Sequence, residues 1–321
     1  MTVDQPPALL VAGPTASGKS ALALALAERL GGTVINTDSM QVYRELRVLT
    51  ARPTPEEEAR VPHGLYGVRP AAEAASVAWW RSAALAEMAR ARAAGRLPIL
   101  CGGTGMYFAA LVQGLTDIPP VPARARQEAR RLLAAHGPAA LHARLAEVDP
   151  DTAARLRPSD SQRVARAYEV WHGTGRGLVA WQAGGGTGPA PWRFATILID
   201  PPREALRAAI ATRWAAMLAA GAIEEVRALA EQGLDPALPA MRAHGVPELA
   251  AMLAGRMTPE DASRRAILNT GQYTKRQATW FRHHPLADTP RVHTIHARIA
   301  GIAQLSESDR AGILSFVDRM H

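Results

Sequence analysis

Gly13-Pro14-Thr15-Ala16-Ser17-Gly18-Lys19-Ser20 carries the spacing G-x-x-x-x-G-K-[ST]. A short apolar run, Leu9-Leu10-Val11-Ala12, precedes it, and a periodic segment over residues 21–30 follows. The pattern predicts a strand, a glycine-rich loop and a helix. Glycines let the backbone curl until successive N–H groups face one oxyanion, with the helix N-terminus behind them. Lys19 adds a full positive charge, and the Ser20 hydroxyl is placed to hold Mg²⁺. Residues 13–20 are therefore read as a cradle for a di- or triphosphate.

Outward from this loop, Gly31-Gly32 ends the helix, and residues 33–37 (Thr-Val-Ile-Asn-Thr) read as a second strand. Asp38-Ser39-Met40-Gln41-Val42-Tyr43 follows at its carboxyl end, the side of an open α/β sheet where ligands bind. Asp38 is thus a candidate general base or support for a metal, against the plainer role of a turn residue. Residues 50–72 form a proline-punctuated connection carrying His63. Ser76 caps a helix expected to run to about Ala94, ended by Gly95. Leu97-Pro98-Ile99-Leu100-Cys101 is a third strand, running into Gly102-Gly103-Thr104-Gly105-Met106-Tyr107. That second glycine-rich turn either cradles a ligand or packs a helix closely. Thr104 is its candidate substrate contact.

The character changes after Asp117. A stiff linker, Ile118-Pro119-Pro120-Val121-Pro122, leads into arginine-rich helical patterns near 123–135, 138–147, 149–156 and 160–173, then a Gly/Pro loop to residue 191. The sheet resumes at 195–200, and a helix follows with Leu206, Ile210, Trp214, Met217 and Leu218 on one face. Further helices are expected at 222–232, 246–254, 259–282 and 308–319. The fold class is α/β: a parallel sheet of the P-loop NTPase type flanked by helices, with a small all-helical insertion. The expected division is 1–117 plus 191–321 for the core and 118–190 for the insertion.

At 321 residues the chain can bury a full core. Lys and Arg outnumber Asp and Glu 37 to 29, a net charge of +8 that fits a polyanionic partner. The single cysteine, Cys101, excludes a disulfide framework and a cysteine-based zinc site. With no apolar run of about 18 residues and no leader pattern, the expected setting is the cytoplasm, without a membrane. No strand beside the loop ends in the acid that P-loop ATPases use to hold Mg²⁺, which disfavours an ATP hydrolase. Ile197-Leu198-Ile199-Asp200 ends in one, but Asp200 reads as a cap before Pro201-Pro202. Gln162, Arg163 and Arg166 share a helix face, and residues 270–282 mix cations, amides and aromatics. Both suit nucleic acid, or a solvated helix whose Trp280 and Phe281 pack inward. His63, His244, His283 and His284 show no metal-ligand spacing.

Taken together, GPTASGKS at 13–20, DS-x-Q-x-Y at 38–43, GGTG-x-Y at 102–107, D-x-QR-x-x-RA-x-E at 160–169 and KRQ-x-TWFR at 275–282 resemble the bacterial tRNA dimethylallyltransferase (tRNA isopentenyltransferase) family. The resemblance runs from about Leu9 to Arg282. It implies a phosphate loop that holds the diphosphate of dimethylallyl diphosphate, with Mg²⁺, and an acceptor at N6 of the adenosine just 3′ of the tRNA anticodon. By that resemblance Asp38 accepts the N6 proton, while Thr15 and Arg213 serve the diphosphate. Contacts to the anticodon stem-loop are implied for Asp38, Ser39, Met40, Gln41, Thr104, Arg126, Gln162, Arg163, Val164, Ala165, Arg166, Lys275, Arg276 and Gln277. The working unit is expected to be a monomer.

The chain departs from the family pattern at two places. Thr270-Gly271-Gln272 lacks the arginine of the usual Thr-Arg-Gln, and Gly245-Val246-Pro247-Glu248 stands for Gly-Tyr-x-Glu. Three other readings compete: a small-molecule P-loop kinase of the nucleoside or shikimate type, an adenylate isopentenyltransferase acting on free nucleotide, and a non-catalytic RNA-binding module. An intact phosphate loop speaks against the last, and the basic QR-x-x-R and KRQ segments against free nucleotide.

Overall fold

The computed structural model describes residues 5–300 and 307–318. Two compact units divide the chain, residues 1–112 with 190–321 and residues 113–189. The sequence placed these borders at 117/118 and 190/191.

In the larger unit the chain runs β1 (Pro7–Ala12), α1 (Lys19–Leu30), β2 (Gly32–Asn36), α2 (Pro55–Arg60), β3 (His63–Gly64), α3 (Val77–Ala93), β4 (Leu97–Gly102) and α4 (Gly105–Val112). The smaller unit holds α5 (Ala123–Val148), α6 (Pro150–Ala153), α7 (Ser161–Thr174) and α8 (Leu178–Ala183). The larger unit resumes with β5 (Arg193–Ile199), α9 (Arg203–Ala219), α10 (Ala222–Glu231), α11 (Val246–Leu253), α12 (Pro259–His283), β6 (Val292–Ile295) and α13 (Glu307–Asp318).

All six strands are parallel, in the order β3-β2-β4-β1-β5-β6. The apolar run before the phosphate loop is the inner strand β1, with Leu9 opposite Ile99 on one side and Ala195 on the other. Strand alternation divides its side chains. Leu9 and Val11 face α1 and the Ile313, Phe316 and Val317 side of α13. Ala8, Leu10 and Ala12 face a larger core that includes Trp80 of α3, Phe108 of α4, Trp214 of α9 and Phe281 of α12. Burial on both faces is why these strands are continuously apolar.

Local signals set the ends. Ser76 accepts the Trp79 N–H at the start of α3, and Gly31, with φ 63°, closes α1. In the smaller unit, Gly137 (φ 77°) breaks α5 just before Pro138, so the two expected segments meet at a kink. Leu132, Leu141 and Val164 form one of its small cores, and Leu145, Ala153 and Ala167 another. Among the described residues no single helix is long and apolar enough to cross a membrane.

Candidate active site

Between β1 and α1 the backbone turns through two left-handed residues, Ala16 at φ 66° and Gly18 at φ 96°. The first helical bond runs from the Leu22 N–H to the Gly18 carbonyl at 3.2 Å. The N–H groups of Lys19, Ser20 and Ala21 therefore have no acceptor among the described residues, which makes a ready anion seat. Lys19 Nζ donates to the Pro14 carbonyl at 3.4 Å. Burial holds the Lys19 ammonium below its usual pKa, with Cys101 and Asp38 pulling it back up and Arg213 adding to the depression. Burial pushes the Cys101 thiol up to about 11, with Lys19 and the nearby Ser20 hydroxyl opposing the rise. The Ser20 hydroxyl oxygen has lone pairs for a cation. Among the described residues no group of three or more His, Cys, Asp or Glu side chains could hold a metal ion. A hydroxyl plus phosphate oxygens and water is a donor set that suits Mg²⁺.

Thr15 departs from expectation. Its backbone N–H (2.9 Å) and its hydroxyl (3.1 Å) both donate to Gln277 Oε1. Neither hydrogen is left for a diphosphate. Gln277 itself is buried on α12, and its Nε2 donates to the Gly103 carbonyl at 2.9 Å. The amide expected to meet tRNA instead ties the two glycine-rich turns together. A neighbour of the same helix explains the glycine at 105, where any Cβ would overlap the Trp280 ring.

Asp38 is positioned by Asn36, a buried residue at the end of β2 that the sequence reading passed over. Asn36 Oδ1 accepts the Asp38 N–H at 2.8 Å, and its Nδ2 donates to the carbonyls of Asp38 (3.0 Å) and Leu65 (3.1 Å). Asp38 Oδ1 accepts the Met40 N–H at 2.9 Å, so Oδ2 has no hydrogen-bond partner among the described residues. Thr104 Oγ1 accepts the Ser39 N–H at 3.0 Å and donates to the Ser39 hydroxyl at 3.3 Å. Burial, then the nearby Asp38 charge, raises the pKa of the Tyr273 hydroxyl. Gln41 spends its amide N–H groups on the carbonyls of Thr50 (2.9 Å) and Ala51 (3.0 Å), and Met40 packs against the main core.

Of these residues Thr15, Lys19, Ser20, Asp38 and Gln41 line one cavity of about 580 Å³. At one side stand Lys19, Ser20, Arg213 of α9 and Arg298, with Asp38 and Gln41 on the wall. Val48, Ala216, Met217 and Ala220 supply apolar surface. Arg298 lies beyond the last motif and was not expected. Burial, then Arg298, lowers the Arg213 pKa. Lys19, Arg213 and Arg298 form no ion pair with a carboxylate among the described residues, whereas Arg47 in the same lining is paired with Glu58 at 2.9 Å.

On α12 the side chains divide: Thr274, Gln277 and Phe281 point inward, while Lys275 and Arg276 are exposed, the latter 5.6 Å from the Tyr273 ring. At the departure from the family pattern, Gly271 faces open space, so the missing arginine leaves no hole. Val246 is buried, and Glu248 accepts from the Gly245 N–H (3.2 Å) and from Asn269 (2.7 Å). Asp200 is not a cap. Pro202 occupies that position, and Asp200 takes both donors of Arg282 at 3.0 Å.

Within the smaller unit, Gln162 and Arg163 are exposed at the start of α7, where Asp160 accepts the Arg163 N–H at 3.2 Å. Arg126 (3.0 Å) and Arg166 (2.8 Å) share one oxygen of Glu169. Val164 is a correction: it is fully buried in that unit's core, so its side chain does not read RNA, while Ala165 beside it is half-buried.

Comparison with known proteins places this geometry. The model of a family described as IPP transferase matches residues 41–284, and one described as isopentenyl transferase matches residues 7–63. A protein of Granulibacter bethesdensis named tRNA dimethylallyltransferase is 62% identical over 317 residues, 98% of each chain. This chain belongs to the IPP transferase family. A second relative in that family, a tRNA dimethylallyltransferase of Acidiphilium cryptum, is 60% identical across 97% of this chain and 95% of its own. Among solved structures, the tRNA isopentenylpyrophosphate transferase of Bacillus halodurans aligns with a TM-score of 0.68 at 31% identity, over 99% of this chain and 98% of that one. A eukaryotic dimethylallyltransferase acting on tRNA aligns with a TM-score of 0.80 at 24% identity, over 98% and 80%, and shows the shared fold. The family model stops at residue 284, short of Arg298.

Proposed function

We propose that the chain is a tRNA dimethylallyltransferase, which moves the dimethylallyl group of dimethylallyl diphosphate to N6 of the adenosine 3′ of the anticodon and releases diphosphate. One observation carries the reading. A single cavity combines unpaired cations at a phosphate loop, an apolar wall and a carboxylate with one unbonded oxygen. Those are the three needs of an allyl transfer from diphosphate to an amine: hold the leaving anion, seat the hydrocarbon, take the proton.

As the allylic C–O bond breaks, negative charge grows on the departing diphosphate, and donors already in place stabilise it without reorganisation. Lys19, Arg213 and the N–H groups of Lys19, Ser20 and Ala21 supply them. Mg²⁺ held at Ser20 would neutralise further charge on the same oxygens. Asp38 Oδ2 takes the N6 proton while the Asn36 amide fixes the carboxylate. Thr15 serves as the anchor of the loop to Gln277 and not as a donor to the diphosphate. The adenine must leave its stack to reach the cavity, at about a few kcal/mol. Ser39 and Thr104 form the hydroxyl pair next to Asp38 that would position it. The exposed cations Lys275 and Arg276, and Gln162 and Arg163 of the smaller unit, suit the RNA backbone. We take the enzyme to act as a monomer in the cytoplasm.

Transfer of labelled dimethylallyl groups to an anticodon stem-loop, beside free AMP, tests the reading. Label in the stem-loop supports it, and label only in AMP replaces it with an adenylate isopentenyltransferase. Asp38→Asn should lower kcat by at least about 100-fold, the scale of a lost general base, with pyrophosphate binding kept. Near-normal turnover of that variant would remove Asp38 from the chemistry.

A further inference from the structure

The segment that follows β6 lies directly on the phosphate loop. Arg298 Nε donates to the Ala16 carbonyl at 3.0 Å, and the Ile299 N–H donates to the Ser17 carbonyl at 2.9 Å. The approach is close enough that any side chain at Gly18 would overlap the Ile299 carbonyl. Ile299 is buried in the core under α1. The strap is therefore held by backbone and packing contacts that do not need the terminal nitrogens of Arg298.

Those nitrogens carry the charge, and the side chain lines the same cavity as Lys19 and Arg213. Bringing like charges together costs free energy unless something of opposite sign is bound. No carboxylate pairs with any of the three among the described residues, and the single bond from Arg298 Nε to the Ala16 carbonyl leaves the terminal nitrogens of that side chain free to donate. A diphosphate has enough oxygens to meet a lysine, two arginines and a helix N-terminus at once. We propose that Arg298 is a third cation of the donor site, binding the diphosphate from the strap opposite Arg213. This rests on the reading of the cavity as the diphosphate site.

Inorganic pyrophosphate is the probe, with the full chain as wild type, Arg298→Gln, Arg298→Lys and Lys19→Ala. Glutamine keeps a donor for the Ala16 carbonyl but loses the charge. Calorimetric titration, and the pyrophosphate-induced rise in melting temperature measured from each variant's own baseline, report binding even where a variant is less stable. A charge-assisted contact of this kind predicts that R298Q binds pyrophosphate at least about tenfold more weakly, and R298K within about threefold of wild type. KM for dimethylallyl diphosphate should rise in parallel with the pyrophosphate Kd. Wild-type affinity in R298Q overturns the proposal, leaving the strap a structural element. Equal weakening in R298Q and R298K, each with a lowered baseline melting point, does so too. Failure of wild type itself to bind pyrophosphate, or normal binding by K19A, would instead overturn the donor-site reading.

Discussion

Asn36 carries no charge, yet Asp38 stands where it does because that one amide makes three hydrogen bonds to the strand end. Asn36→Ala leaves two carbonyls without partners and frees the carboxylate to wander. A misplacement of about 1 Å at a reacting group costs on the order of 100-fold in rate. The variant should therefore lose kcat by about that factor while keeping pyrophosphate affinity, and single-turnover kinetics with a stem-loop will show it. If kcat is unchanged, Asp38 is held by other means. Lys19 gives a second expectation. Its pKa is depressed from 10.5 by burial, so the folded state pays a small penalty below the folded pKa that is relieved as pH climbs towards 10.5. Binding has the opposite sign. A bound diphosphate restores the proton, so pyrophosphate affinity should fall as pH rises through the depressed value, with proton uptake on binding. Titrations in buffers of different ionisation enthalpy read both. Cys101, pushed up to about 11, remains mostly protonated in that window and ionises mainly above it. Affinity that is flat up to 10.5 would show that Lys19 titrates normally.

At the scale of elements, α12 shows how far a sequence pattern reaches. Cations, amides and aromatics at 270–282 suit either RNA or a solvated helix with Trp280 and Phe281 packed inward, and helix geometry turns Gln277 inward with Thr274 and Phe281. Gln277→Leu keeps most of the volume and strands the Thr15 N–H and the Gly103 carbonyl. Stability should drop by about 2–6 kcal/mol, from two unsatisfied groups at about 1–3 kcal/mol each, with tRNA affinity nearly intact. Thermal melts beside filter binding decide it, since a lost RNA contact would invert those two results. The strands β1, β2, β4 and β5 were legible because each is a hydrophobic run, and the turn carrying Lys19 because its glycines and lysine stand at a fixed spacing. β3, only His63–Gly64, and β6, Val-His-Thr-Ile at the sheet edge, carry no such run. Asp200 misled for a related reason: its partner, Arg282, lies 82 residues away. Arg298 and Asn36 carry no motif at all, and only the folded arrangement brings them to the site.

For the whole molecule, a net charge of +8 sets the scale of its attraction to a polyanion. If Arg163 of the smaller unit meets a phosphate, Arg163→Ala should flatten the dependence of log K for tRNA on log salt by about 0.7–0.9 unit. An unchanged slope would put that side chain off the RNA. The hydrogen bond between Arg298 and Ala16 joins residues 282 apart in the chain. A ribosome adding about 5–20 residues per second needs roughly 15–60 s to lay down that interval. The nucleotide-type loop is among the first parts to emerge during translation, and the strap that closes on it is among the later ones. A nascent chain thus passes most of its synthesis with the 13–20 loop lacking its partner strap, whose contacts with Ala16 and Ser17 form only once the chain has been made past β6.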